Sequence, residues 1–292
     1  MEQLDDLLAI RFPGGTTVIE HWENWLLTDC TGRAPMTGGV VHPVAMFHVP
    51  IRGVGTSITE LFEAFGTVAG DGRVALLGYN WVYDEPLRED VPYDVRGGVT
   101  NAVRHTGDDG AVGDEVSFTI ELHAGGRRVA QATDCWYVHR SGRPTVTPES
   151  TGTSGGGESL PPWEVASVDP ARMKTMAAVL RDPYPLHWDR DLNERIGFGR
   201  RTINQGPLNL SYIANMLMAW AGDGAVRRLD VRFGRPVFDG DRVVARGRVL
   251  RRVGGVAHCE VWLDRDGERV VDGVAEVSSG SVASRAQVAP DS

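Results

Sequence analysis

The sequence predicts an α+β protein built from two tandem units, each a central helix wrapped by an antiparallel sheet. Three observations carry this reading. Each half runs from an apolar segment into a series of valine-rich stretches separated by turn signals. Residues 143–163, "RPTVTPESTGTSGGGESLPPW", are rich in Gly, Ser, Thr and Pro, lack hydrophobic periodicity, and divide the halves as a linker. Finally, "DEPLREDVPYDVRGGV" (84–99) lies on "GRPVFDGDRVVARGRV" (234–249) at an offset of 150, which places Pro86, Gly97 and Val99 on Pro236, Gly247 and Val249. Two copies of one unit, fused and diverged, account for that alignment.

In chain order, the first unit occupies residues 1–142. Its apolar segment "HPVAMFHVPIRGVGTSITELFEAFG" precedes the strand-like "RVALLGYNWVYDEP", "DVPYDVRGGVTNAVRH", "EVSFTIELHA" and "RRVAQATDCWYVHR". The second unit, 164–278, shows a clearer pattern. "ARMKTMAAVL" (171–180) reads as helix, and "NLSYIANMLMAWAG" (209–222) more so, with Ile213, Met216, Leu217 and Trp220 at spacings of three and four. Gly222 would end it. Leu210 and Tyr212 make its other faces apolar, which predicts burial on most sides. The strands "VRRLDVRFG", "DRVVARGRVLRRV", "VAHCEVWLD" and "ERVVDGVAEVS" follow, and residues 279–292 read as a disordered tail.

Composition narrows the function. The net charge of −9 disfavours a general nucleic-acid binder, because such a field repels phosphate. No apolar run approaches the roughly 18–20 residues of a membrane helix, and the acidic start "MEQLDDLLAIRFPGG" lacks the basic region of a secretory signal. A cytoplasmic protein is expected. Cys30, Cys135 and Cys259 are far apart and form no CxxC pair, so they read as buried reduced thiols rather than as disulfides or metal ligands. The basic residues are almost all arginine, Lys174 being the single lysine, and arginine's fork suits phosphate or carboxylate groups. A phosphate-bearing small ligand fits this usage.

The candidate chemistry lies in "RDPYPLHWD" (181–189), where Asp182 stands five positions before His187 with Pro183 and Pro185 between them. A carboxylate and an imidazole within reach of one water can position it, take its proton and return a proton to a reacting carbon. The prolines push Asp182 and Tyr184 towards extended conformations, so the segment is stiff and its side chains need little ordering on binding. By itself the segment fits a plain connecting loop equally well, with His187 capping a helix and Asp182 solvated.

The residues around this loop favour the chemical reading. "HWDRDLNERIGFGRRTINQGPLN" and the preceding loop resemble the signature of the MaoC-like dehydratases, the family of the (R)-specific enoyl-CoA hydratases, whose catalytic loop opens D-x-N-P-[LIV]-H. Asp182, Pro185, Leu186 and His187 match it in place, as do Asp189 and the pair Gly197-Phe198 further on. "VRFGRPVFDGDRVVARGRV" and "GERVVDGVAEV" resemble the family's later strands, so the likeness covers roughly residues 172–277. It implies the hotdog fold, here a double hotdog with an acyl-binding tunnel between the halves. The first half, which contains no D-x-x-P-x-H, would be the degenerate one. Its His42, in "VVHPVAM", is expected to be structural.

The resemblance also implies site roles. Asp182 and His187 would hold the water that adds across a trans-2-enoyl thioester, and Gly206, in "INQGP" at the start of the long helix, would donate its N–H to the thioester carbonyl. Tyr184 stands where the family has asparagine, and Gln205 replaces the histidine before the glycine. Tyr184, Asn204 and Gln205 are therefore candidates for substrate contact, and Arg200 and Arg201 for the phosphates of coenzyme A. No metal or separate cofactor is implied. The partner would be an acyl-CoA or acyl-carrier-protein thioester, and the fold leaves room for a homodimer. A hotdog thioesterase and a non-catalytic acyl-thioester-binding partner subunit are the alternatives.

Overall fold

The computed structural model describes residues 2–68, 71–141 and 156–278. The first unit comprises α1 (Glu2–Ala9), β1 (Gly15–Thr17), α2 (His21–Cys30), α3 (Ala45–Gly53), α4 (Ile58–Ala64), β2 (Val74–Tyr83), β3 (Tyr93–Thr106), β4 (Val112–Ala124) and β5 (Arg127–Ser141). The second comprises β6 (Glu158–Ser159), β7 (Trp163–Val165), α5 (Pro170–Leu180), a 3-10 turn (Pro185–His187), α6 (Arg190–Arg195), α7 (Gly206–Ala221), β8 (Val226–Phe233), β9 (Val243–Val253), β10 (Val256–Arg265) and β11 (Glu268–Ser278).

All strands join one eleven-stranded antiparallel sheet in the order β1-β3-β4-β5-β2-β8-β11-β10-β9-β6, with β7 also on β9. The two units meet at β2 and β8, whose register pairs Asn80 with Asp230, Tyr79 with Val231 and Trp81 with Leu229. Asn80 and Asp230 are equivalent under the 150-residue repeat, and the flanking pairs exchange places about them. This is the self-complementary pairing that a two-fold axis between like subunits demands, here within one chain. The same offset carries α2 onto α5, which pack against each other. Gly97 and Gly247 are also structural equivalents. A Cβ at Gly97 would lie 2.3 Å from the Thr119 carbonyl oxygen, and one at Gly247 would lie 3.0 Å from that of Glu260, on the adjacent strand of each unit.

The helix α7 is the axis of the second unit. Thirteen of its sixteen residues are buried, including the polar Asn209, Ser211 and Asn215, so the sheet closes around it on nearly all sides. It ends at Gly222, where φ reaches +99° and the last carbonyls are released. The matching apolar segment of the first unit does not form one helix. Pro50 sits inside α3, and Gly53 presses so close to the sheet that a Cβ there would lie 2.6 Å from Val95 Cγ2. Gly55, at φ +76°, then breaks the run before Ser57 caps α4 by accepting from the Glu60 N–H.

The linker assigned to 143–163 is shorter at its C-terminal end. Glu158 and Ser159 pair with Val249 and Arg248, and Trp163 pairs with Ala245, so β9 uses this segment to cover its free edge. The rest of the linker, up to residue 155, and the tail from 279 lie outside the described residues. All three cysteines are free and buried. Among the described residues, no helix is long and apolar enough to cross a membrane.

Candidate active site

The helix α5 ends at Arg181 in a left-handed conformation, which turns the chain sharply into Asp182. Pro183 and Pro185 then hold an extended approach to the 3-10 turn, and His187 closes that turn with its N–H on the Tyr184 carbonyl. Asp182 Oδ1 accepts the Tyr184 N–H at 2.9 Å, leaving Oδ2 directed at His187, with Oδ2 and Nε2 3.5 Å apart. The side chains are only 8% and 12% exposed.

The opposite ring nitrogen of His187 defines its tautomer. Nδ1 lies 2.7 Å from the carbonyl oxygen of Ile203, which can only accept. Nδ1 therefore carries a hydrogen, and Nε2 is the ring nitrogen that faces Asp182. At 3.5 Å the two atoms are close enough to engage one small polar molecule together. Burial pushes the Asp182 carboxyl above the ordinary aspartate range, against the opposing pull of His187 and the Tyr184 N–H.

The pair opens into a cavity of about 630 Å3 at the junction of the two units. Its walls are largely apolar, with Phe47, Phe62, Leu76 and Trp136 from the first unit and Phe198 and Phe233 from the second. Gly206 stands in this wall as the first residue of α7, with no preceding turn to accept its N–H. A Cβ on Gly206 would lie 2.2 Å from Leu76 Cδ2, so a larger residue here requires the Leu76 side chain or the start of α7 to shift. The N–H, the helix dipole and the Asp182–His187 pair thus border one apolar space.

The other candidates divide. Tyr184 lines the cavity, but its hydroxyl donates to the Val74 carbonyl at 3.1 Å and its ring packs on Phe62, 5.2 Å between centroids. It therefore shapes the wall and joins the units; its hydroxyl does not reach the acid–base pair. Asn204 also lines the cavity; Nδ2 donates to Asn209 Oδ1 at 2.7 Å, while its buried Oδ1 has no partner among the described residues.

Gln205 and the two arginines depart from expectation. Gln205 is buried, but its Nε2 donates to the Met173 carbonyl at 2.8 Å, so the side chain ties α5 to the start of α7 and contributes nothing to the cavity wall. Arg200 pairs with Asp191 and Glu194, and Arg201 with Asp241 while resting over the Phe238 ring. Neither arginine lines the cavity. Both arginines are exposed and pair with carboxylates at the surface rather than at the cavity. His42 is fully buried; its Nδ1 accepts the Val44 N–H and its Nε2 donates to Asn215 Oδ1 at 2.9 Å, which pins α7 to the first unit.

Fold and site together define a class: a double-hotdog protein with an Asp–His loop at the junction of its units. Residues 153–260, most of the second unit, match the family model described as MaoC like domain. The chain is similar along nearly its whole length to a solved MaoC-like dehydratase, with a TM-score of 0.74 at 14% identity, covering 92% of this chain and 97% of the other. It is similar also to a protein of Mycobacterium tuberculosis described as having a double hotdog fold, with a TM-score of 0.60 at 14% identity and coverage of 94% and 97%. An oleoyl thioesterase (putative) structure from Lactobacillus plantarum shares the architecture too, with a TM-score of 0.59 at 11% identity and coverage of 93% and 98%. Identities this low speak for the fold, not the reaction. No curated protein matches the sequence.

Proposed function

We propose that the protein is a hydro-lyase that adds water to a trans-2-enoyl thioester, giving the (R)-3-hydroxyacyl thioester, or runs the same reaction in reverse. The observation that carries this reading is the Asp182–His187 pair, with Oδ2 and Nε2 facing each other at 3.5 Å on the wall of an apolar cavity that also holds Gly206. Hydration needs an acceptor for the water's proton and a donor for C2, both on one face of the alkene. His187 Nε2, the ring nitrogen not engaged by the Ile203 carbonyl, is the base as the water oxygen attacks C3. Asp182, whose carboxyl burial favours in its protonated form, is the acid that delivers a proton to C2. The charge that develops on the thioester oxygen between these events is stabilised by the Gly206 N–H at the positive end of α7.

The substrate on this reading is an acyl-CoA or an acyl-carrier-protein thioester, its acyl chain among the apolar residues of the cavity, in a cytoplasmic enzyme. A panel of crotonyl-CoA, longer enoyl-CoAs and a branched or ring-bearing enoyl-CoA tests it, with loss of the conjugated enoyl absorbance as the readout. Hydration of at least one of these is expected. Release of free thiol without loss of the alkene would instead make the protein a thioesterase, the reading that the Lactobacillus relative favours. Binding without turnover of any thioester would indicate an acyl-thioester-binding partner subunit.

A further inference from the structure

Tyr79 presents to the cavity a hydroxyl that neither the acid–base pair nor Gly206 uses. The residue lies on β2, beside the β2–β8 junction, and is only 2% exposed. Its ring is held on three sides: stacked on Trp81 at 4.7 Å, edge-on to Phe233 at 5.3 Å and tilted against Phe47 at 6.0 Å. Such packing leaves the phenol one direction. Its oxygen comes within 3.4 Å of the position that a Cβ on Gly206 would take, so it stands at the first turn of α7. Among the described residues no hydrogen bond engages this hydroxyl, and its oxygen, which is not one of the fully enclosed unpartnered atoms, is open to the cavity and free to donate there.

We propose that Tyr79, supplied by the unit without the acid–base loop, is a second donor to the thioester carbonyl oxygen and completes an oxyanion site with the Gly206 N–H. A carbonyl oxygen seated at the N–H of Gly206 lies within reach of the phenol and supplies its missing acceptor. Gln205, the neighbour whose amide could have served, is occupied with Met173. Burial, reinforced by Asp134 and Asp182, keeps the phenol protonated and therefore a donor. The degenerate unit thereby contributes directly to catalysis, which is a reason for the site to lie between the units. The inference rests on the site's being a thioester site and does not require that the reaction be hydration.

The test uses the full-length chain and butyryl-CoA carrying 13C at the thioester carbonyl. This saturated probe has no alkene to hydrate, so infrared difference spectra report the carbonyl hydrogen bonding alone. The bound carbonyl band is expected at lower frequency on the wild type than on Tyr79→Phe, which keeps every ring contact and removes only the donor. On whichever enoyl-CoA the wild type hydrates, Tyr79→Phe is expected to lower kcat by about 100-fold with little change in KM. Coincident carbonyl bands on the two proteins, or no thioester bound to the wild type, overturn the proposal. A band difference in a wild type that hydrates no enoyl-CoA upholds the role of Tyr79 and removes only the hydration reading.

Discussion

His187 donates its Nδ1–H to the carbonyl oxygen of Ile203 at 2.7 Å, and that bond decides which nitrogen faces Asp182. Ile203 follows α6 and immediately precedes the Asn204–Gly206 approach to α7. One hydrogen bond therefore sets both which His187 nitrogen faces Asp182 and the position of the ring relative to the Gly206 N–H. Replacing either member of the acid–base pair should abolish the chemistry and leave the fold in place. His187→Ala and Asp182→Asn are each expected to lower kcat by about 100- to 10,000-fold, with an unchanged circular-dichroism spectrum. Turnover that both variants leave intact would remove the pair from the mechanism.

Tyr184 tests a different property of the loop. Its hydroxyl bond to Val74 joins the two units next to the cavity, and its ring stands between Phe62 and His187. Tyr184→Phe keeps the ring and loses one hydrogen bond, so a stability loss of about 1 kcal/mol is expected with kcat little altered. Tyr184→Ala removes part of the wall and should shift preference towards bulkier acyl chains. Competition between short-chain and branched enoyl-CoAs measures that shift. A large drop in kcat for Tyr184→Phe would mean that the hydroxyl does chemistry after all.

The sequence discloses what is local. The strands of both units end within a few residues of expectation because valine-rich runs and Gly-Asp turn signals are short-range features, and the repeat offset reappears as the Asn80–Asp230 pairing. Asp182 and His187 were legible for the same reason: a six-residue signature states both identity and spacing. The arginines were misleading because the carboxylates that engage them include Asp239 and Asp241, some 40 residues away in sequence. Nothing adjacent to Arg201 announces them. Gln205 shows another limit: its amide is turned towards Met173 by the packing of α5, which is decided in three dimensions. Tyr79 went unread because it belongs to the other unit and sits in an ordinary apolar strand, where an aromatic residue signals only core.

The contact between Gly206 and Leu76 gives a prediction about space rather than charge. Gly206 has an ordinary helical backbone, so alanine would be tolerated conformationally, but its Cβ would fall 2.2 Å from Leu76 Cδ2. Gly206→Ala should crowd the Leu76 side chain against the start of α7, displace the N–H and lower kcat by about as much as loss of a single oxyanion donor, about 100-fold. If crowding is the cause, Leu76→Ala in the same chain makes room for the new methyl and should restore much of the rate. Equal activity of the single and double variants would show that the defect lies elsewhere.

Two buried groups away from the acid–base pair give the protein opposing pH dependences. Asp134 is fully enclosed with one hydrogen bond, from Trp81 Nε1, and burial pushes its carboxyl up to about 7. Unfolded, the same carboxyl titrates near about 4. The folded state thus holds a proton that the unfolded state has released, and stability declines as pH rises from about 4 to about 7. His42 behaves oppositely. Burial between the units lowers it to about 4, while in the unfolded chain it titrates near about 6.5, so stability is complete above that value and is lost as pH falls towards 4. Each contribution is on the order of 3 kcal/mol, and over the shared window they nearly cancel. Urea denaturation of wild type at about pH 4.5 and about pH 6.5 should therefore show little difference from these two groups. Asp134→Asn keeps an acceptor for Trp81, removes the falling limb, and should become more stable than wild type at about pH 8 while losing stability steeply in acid. His42→Gln should leave the falling limb alone, its stability decreasing from about pH 4.5 to about 7. Parallel pH profiles for the two variants would show that neither group titrates as its burial requires.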